Sequence, residues 1–270
     1  MRTLVRDGVA LRYELAEGGE TPIALVHGWC CDHSYFAPQF EYFRDRGHTV
    51  LAVDLRGHGE SDKPEGSYSM DVFADDLAWL ASELELEAPV VIGHSMGGVI
   101  AFELAVTHPD VPAAIVMIDS PVARPAASRD GMPAFLEKLN GPAYREAVTD
   151  YVAEALFLPT DEAERRAEIL ARMPETSRHV MISAFEGMRD FDPDEARGSI
   201  GIPSLFIAAD DRPLSDLPHL FQLAPDMLFG QTVGSGHFCT LEVPDQVNPM
   251  LARFLAVLPS LADGSAGTRT

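Results

Sequence analysis

Short continuous apolar runs recur along the chain with helix-like stretches between them, and this alternation limits the fold more than any other feature of the sequence. Pro22–Val26, Thr49–Val53, Pro89–Ile92, Ala113–Ile118 and Pro203–Ala208 have the length of strands and are almost wholly apolar. Runs of this kind suit strands buried on both faces of a sheet. Between them, Ser69–Leu86 sets Phe73, Leu77, Leu80 and Leu84 along one side of a helix, and Met96–Thr107 is helix-like as well. Strand and helix in alternation predict a mostly parallel sheet wound with right-handed crossovers. Ahead of these runs, Leu4–Arg6 and Val9–Tyr13 flank Asp7-Gly8, a dipeptide suited to the left-handed angles of a tight hairpin turn.

The rhythm stops after Ser120-Pro121. Tyr144–Phe157, Asp161–Met173 and Glu175–Phe191 carry helical spacing with no strand-like run among them, which predicts an inserted helical cap over residues 121–198. The α/β core is then 1–120 with 199–258. Met227–Val233 reads as the last strand and Glu242–Val257 as a closing helix; residues 259–270 have nothing to pack and read as a disordered tail.

The 270 residues are enough for one large domain with a sizeable core. Lys and Arg number 20 against 42 Asp and Glu, a formal charge of −22 that repels polyanions such as nucleic acid. Charges break up the first residues before an apolar segment of signal length forms, so the expected setting is cytoplasmic, away from membranes. Cys30, Cys31 and Cys239 make no disulfide framework and lack zinc-site spacing, so they read as free thiols. Neither a metal nor an organic cofactor is expected. A monomer or homodimer acting on a small molecule fits this composition.

One hydroxyl stands out. Gly93-His94-Ser95-Met96-Gly97 fits G-x-S-x-G and falls between a strand and a helix, where a sharp turn exposes the side chain at its tip. A serine needs a base within reach and an acid to orient that base. His237, in Gly234-Ser235-Gly236-His237-Phe238 between the last strand and the last helix, is the candidate base. His94 should point away from its neighbour Ser95, and His27 and His58 read as structural. For the acid, Asp210 and Asp211 follow the run Pro203–Ala208, and Asp211 is preferred because it precedes the turn at Arg212-Pro213. Asp119 also ends a strand and is a third candidate, with a plain turn role as its alternative. The backbone N–H groups of Met96 and Trp29 are expected to form the oxyanion hole. The indole of Trp29 reads equally well as pocket wall or as core.

With these residues in place, the chain resembles the α/β-hydrolase superfamily, in the branch of serine esterases and lactonases with a helical cap. The marks are His27-Gly28-Trp29, the run Asp54–Ser61, the elbow Gly93–Gly98 and Gly234–Phe238. The resemblance implies an eight-stranded, mostly parallel sheet with flanking helices and a cap between strands six and seven. It also implies a structural role for the Asp54–Ser61 loop, Arg56 and His58 included. Serine rather than aspartate at the elbow points to acyl transfer, whereas the fold itself also hosts other chemistries. Met181, Ala184, Phe185 and Met188 share a helical face, as do Tyr151, Val152, Ala155 and Leu156, which suits core packing or an adaptable apolar pocket. The expected activity is hydrolysis of a small, uncharged carboxylic ester or lactone through an acyl-enzyme. Perhydrolysis, carbon–carbon cleavage or a receptor on a hydrolase scaffold are the rival readings.

Overall fold

A computed structural model of the chain describes residues 1–194, 200–209 and 213–262. Its strands are β1 (Arg2–Arg6), β2 (Val9–Ala16), β3 (Glu20–Val26), β4 (His48–Asp54), β5 (Val90–His94), β6 (Ala114–Ile118), β7 (Ser204–Ala208) and β8 (Leu228–Gln231). They form one sheet in the order β1-β2-β4-β3-β5-β6-β7-β8, antiparallel at β1–β2 and β2–β4 and parallel across the rest. The opening hairpin turns on Asp7 and Gly8, both at positive φ (51° and 83°). That geometry matches the right-handed twist of the two strands it joins.

The helices are α1 (Ala37–Arg44), α2 (Met70–Glu83), α3 (Met96–Thr107), α4 (Ala126–Asn140), α5 (Tyr144–Ala155), α6 (Ala163–Arg172), α7 (Arg178–Asp190), α8 (Leu217–Leu223), α9 (Cys239–Glu242) and α10 (Pro244–Ala262). The apolar strands alternate between two cores, as a period of two requires. Ala24, Val26, Val91, Ile115 and Met117 face the core shared with α2 and α3; Ile23, Leu25, Val90, Ile92, Val116 and Ile118 face the one shared with α1 and α10. None of the described helices is long and apolar enough to cross a membrane.

Several elements depart from the sequence expectations, α4 and the closing helix among them. Helix α4 was not foreseen because Gly131 and Pro133 interrupt its pattern, yet Met132, Leu136 and Leu139 recur at helical spacing and are buried. Tertiary packing of that face outweighs the local penalty. The closing helix does not end at Val257. It runs to Ala262, because Leu258 and Leu261 extend the stripe of Leu251, Phe254 and Leu255 against the sheet, so residues 259–262 are helix and not tail. Residues 263–270 of the expected tail lie outside the described residues.

Four helices, α4 to α7, intervene between β6 and β7. Trp29, in the loop after β3, ties them to the core: its indole Nε1–H donates to the Met181 carbonyl at 2.9 Å, and its ring packs edge-on to Phe135 and Phe185.

Candidate active site

Ser95 sits between the last residue of β5 and the first of α3, with φ 55° and ψ −120°. Its N–H donates to the Ile118 carbonyl at 2.9 Å, which ties the corner to the neighbouring strand. The flanking glycines are a steric necessity. A Cβ on Gly93 would run into the backbone of Gly97 and Gly98, and one on Gly97 into the carbonyls of Val26 and His27. Here the glycines of the motif provide close approach and not left-handed angles, because the residue at positive φ is the serine itself.

His237 lies in the loop between β8 and α9, and its Nδ1 is 2.7 Å from Oδ2 of Asp119, with both side chains only 6% exposed. A carboxylate only accepts, so Nδ1 carries a proton, and in the neutral ring Nε2 keeps its lone pair. Asp119 is fixed in turn. It follows β6 at φ 41°, its N–H donates to the Ile207 carbonyl at 2.7 Å, and its Oδ1 accepts from the Ala209 N–H at 3.4 Å. Of the three candidate acids, Asp210 and Asp211 lie outside the described residues; among the described residues the carboxylate on the imidazole belongs to Asp119. The pairing is across strands, through β6 and β7, so spacing along the chain did not reveal it. The strand-end position of Asp119, followed by a buried Ser120, was the available signal.

Two further contacts hold the loop of His237. His94 donates from Nε2 to the His237 carbonyl at 2.8 Å, and the two rings lie 4.5 Å apart. Burial, then the neighbouring His237, pushes the His94 pKa well below its usual value, which keeps that ring neutral. From the other side, the stretch after α5 clasps the loop: the Leu156 carbonyl accepts from the His237 N–H at 2.9 Å, and Asp161 Oδ1 accepts from the Gly236 N–H at 2.8 Å. Asp161 was read only as the start of a helix; its buried carboxylate is a positioning group for this loop.

The loop after β3 has a defined orientation. The Gly28 carbonyl accepts from His27 Nδ1–H at 2.8 Å and from the Cys31 N–H at 3.2 Å. Because the peptide is planar and trans, the Trp29 N–H points away from that carbonyl. Gly28 also abuts the serine, since a Cβ placed on it would lie 3.1 Å from Ser95 Cβ. Trp29 borders the cavity that Ser95 lines, and Met96, the other expected donor, follows Ser95 as the first residue of α3.

Ser95, Trp29 and His237 line one cavity of about 60 Å³, together with Arg124, Ser128, Tyr151 and Phe185. The described hydrogen bonds do not join Ser95 directly to His237. Such contacts commonly tighten only around substrate. His27 and His58 are fully buried and pack on each other at 5.2 Å, away from this cavity. Burial lowers the pKa of both, that of His58 to about 3. Cys30, Cys31 and Cys239 are buried free thiols.

Asp54 shapes the loop after β4. Burial opposes its ionisation, but hydrogen bonds from the His33 ring and backbone and from the Glu60 N–H prevail and bring its pKa to about 2. Asp32, His33 and Asp54 approach one another closely enough to suggest a metal site. Their oxygens are already engaged, however, Asp32 by Ser34 and Arg172 and Asp54 as above. Arg56 pairs with buried Asp76 and has no place in the cavity.

Known proteins resemble this chain along nearly its whole length. A family model described as alpha/beta hydrolase fold matches residues 21–164. The AB hydrolase superfamily protein YisY of Bacillus subtilis (strain 168) is 27% identical over 247 residues, which cover 88% of this chain and 92% of that protein. A 2-(acetamidomethylene)succinate hydrolase of Mesorhizobium japonicum is 28% identical over 254 residues, covering 88% and 90%. Among solved structures, a thermophilic esterase from Thermogutta terrifontis superposes with a TM-score of 0.83 over 95% of this chain and 97% of that one. At 23% identity, that likeness is one of fold.

Proposed function

We propose, for a chain that belongs to the α/β-hydrolase family and is a hydrolase, that it cleaves compact carboxylic esters or lactones through an acyl-enzyme on Ser95. The observation that carries this reading is the 2.7 Å contact between His237 and Asp119 at the cavity that Ser95 lines. Ser95 Oγ attacks the carbonyl carbon as its proton passes to His237 Nε2, and Asp119 stabilises the imidazolium that forms. The N–H groups of Met96 and Trp29 receive the developing oxyanion, each such donor contributing about 3 to 4 kcal/mol to the transition state. Collapse of the intermediate expels the alcohol oxygen, which takes the proton from His237. His237 then removes a proton from water, which attacks the acyl carbon and releases the acid. In a lactone the two products are one hydroxy acid.

The size of the cavity favours a short acyl group, since about 60 Å³ does not hold a long extended chain. The fully buried His94 ring and the packed Phe238 leave little slack behind His237. The hydrolase activity of the Mesorhizobium japonicum relative supports the same class of reaction.

The test is a panel of p-nitrophenyl esters of increasing acyl length together with simple lactones, run on the wild type and on Ser95→Ala. Turnover of short esters that falls on the order of a millionfold in the variant supports the assignment. Activity that survives the substitution contradicts it, and products of peroxide or diketone chemistry in place of hydrolysis redirect it.

A further inference from the structure

Arg124 stands on the wall of the same cavity, between the end of β6 and the start of α4, and is partly buried. In a chain with 42 acidic residues, it forms no ion pair and donates no hydrogen bond among the described residues. Its flanks are apolar, Val122 and Ala123 being almost fully buried. No described aspartate or glutamate shares the cavity wall, which Ser128 and Tyr151 also line. A guanidinium withdrawn from water without a counter-charge is costly, and such groups are ordinarily paired.

From this juxtaposition we infer that Arg124 is a specificity residue that binds a carboxylate on the substrate, so that the ester or lactone cleaved at Ser95 carries an acidic group. The inference rests on the proposed hydrolase reading and replaces the uncharged substrate expected from the sequence. Burial lowers the Arg124 pKa to about 10, with Tyr151 opposing the shift, so the cation persists at neutral pH. A single planar fork matches one carboxylate through two parallel hydrogen bonds. A phosphate dianion or coenzyme A is a poorer match, because no second described cation lines the cavity. Tyr151 and Ser128 offer hydroxyls on the same wall, and α4 presents its positive end two residues beyond Arg124.

The experiment compares monoethyl succinate, glutarate and adipate with neutral ethyl esters in which an isopropyl group replaces the carboxylate, in wild type, Arg124→Lys and Arg124→Met. For the best chain length, the ratio of kcat/KM for the acidic ester to that for its neutral counterpart falls about 100-fold in Arg124→Met. It falls less in Arg124→Lys, which keeps the charge but not the fork. A wild-type preference for the neutral esters that Arg124→Met does not change overturns the inference. If the wild type hydrolyses none of the six, the hydrolase reading is what fails, and calorimetric binding of glutarate to Ser95→Ala decides the carboxylate site separately. Binding that disappears in Ser95→Ala/Arg124→Met supports the site, and no binding to Ser95→Ala overturns it. Thermal unfolding of each variant identifies one that has failed to fold, and Arg124→Lys then carries the comparison.

Discussion

At the carboxyl edge of the sheet, Cys30, Ser95 and Asp119 follow β3, β5 and β6 and all hold positive φ (57°, 55° and 41°) without being glycine. The facing helices α4 to α7 contain no such residue among those described, and they meet the cavity with Tyr151, Phe185 and Met188 on regular helical faces. Strained corners cost of order 1 to 3 kcal/mol each and persist only where the surrounding structure over-determines them. Here the parallel strands do so, through bonds such as Ser95 N–H to Ile118 and Asp119 N–H to Ile207. The difference separates two tasks. Under the proposed function, the atoms that take part in bond making sit on the rigid edge, and the methionine and aromatic side chains that shape the pocket sit on ordinary helices, where they adapt.

The comparison breaks most visibly at the acid. Asp119→Asn removes the acceptor that sets the His237 tautomer and should lower kcat on the order of 10⁴-fold with little change in KM. Asp211→Asn should retain most of the activity. Equal losses in the two variants would put the orienting carboxylate elsewhere and undo the separation.

A smaller effect is expected where the edge and the helices meet. Gly236→Ala places a Cβ against Asp161 and 2.8 Å from the Leu156 carbonyl, so the loop must shift and carry His237 with it. Displacements of about 1 Å at a catalytic group cost roughly 100-fold in rate. Single-turnover kinetics should therefore show a slowed acylation step with near-normal binding. A variant that loses affinity but not rate would move this junction into the selecting half of the molecule.

The least effect on rate belongs to the helices themselves. Phe185→Leu widens the cavity without touching the Asp119–His237 pair, so the preferred acyl chain should lengthen by about one carbon. Discrimination between adjacent lengths of roughly tenfold in kcat/KM is the scale for one methylene. A chain-length profile that keeps its shape while kcat collapses would mean that the helices support the chemistry after all.

The two halves also differ in how far the sequence disclosed them. Gly93–Gly97 was legible because its constraint is local: the motif, the strand before it and the helix after it all lie within a few residues. His237 was legible from its glycine-rich loop at the end of the sheet. Asp119 ranked below Asp211 because its role depends on the register of β6 against β7 and on a histidine 118 positions away, which no local pattern encodes. Arg124 was passed over because a single cation forms no motif; only its placement in a cavity without a described carboxylate makes it informative. Asp161 and α4 were obscured for related reasons, one because its partners are backbone N–H groups of a distant loop, the other because Gly131 and Pro133 mask a buried face.

The most direct measurement is covalent trapping with a fluorophosphonate, a reagent that needs a basic imidazole to activate the serine it labels, followed by mass spectrometry of the modified peptide. A single adduct on Ser95 is expected, forming fast in the wild type and in Asp211→Asn and far more slowly in Asp119→Asn and His237→Ala. An adduct on another residue, or labelling of Ser95 at the same rate with Asp119 removed, would contradict the assignment.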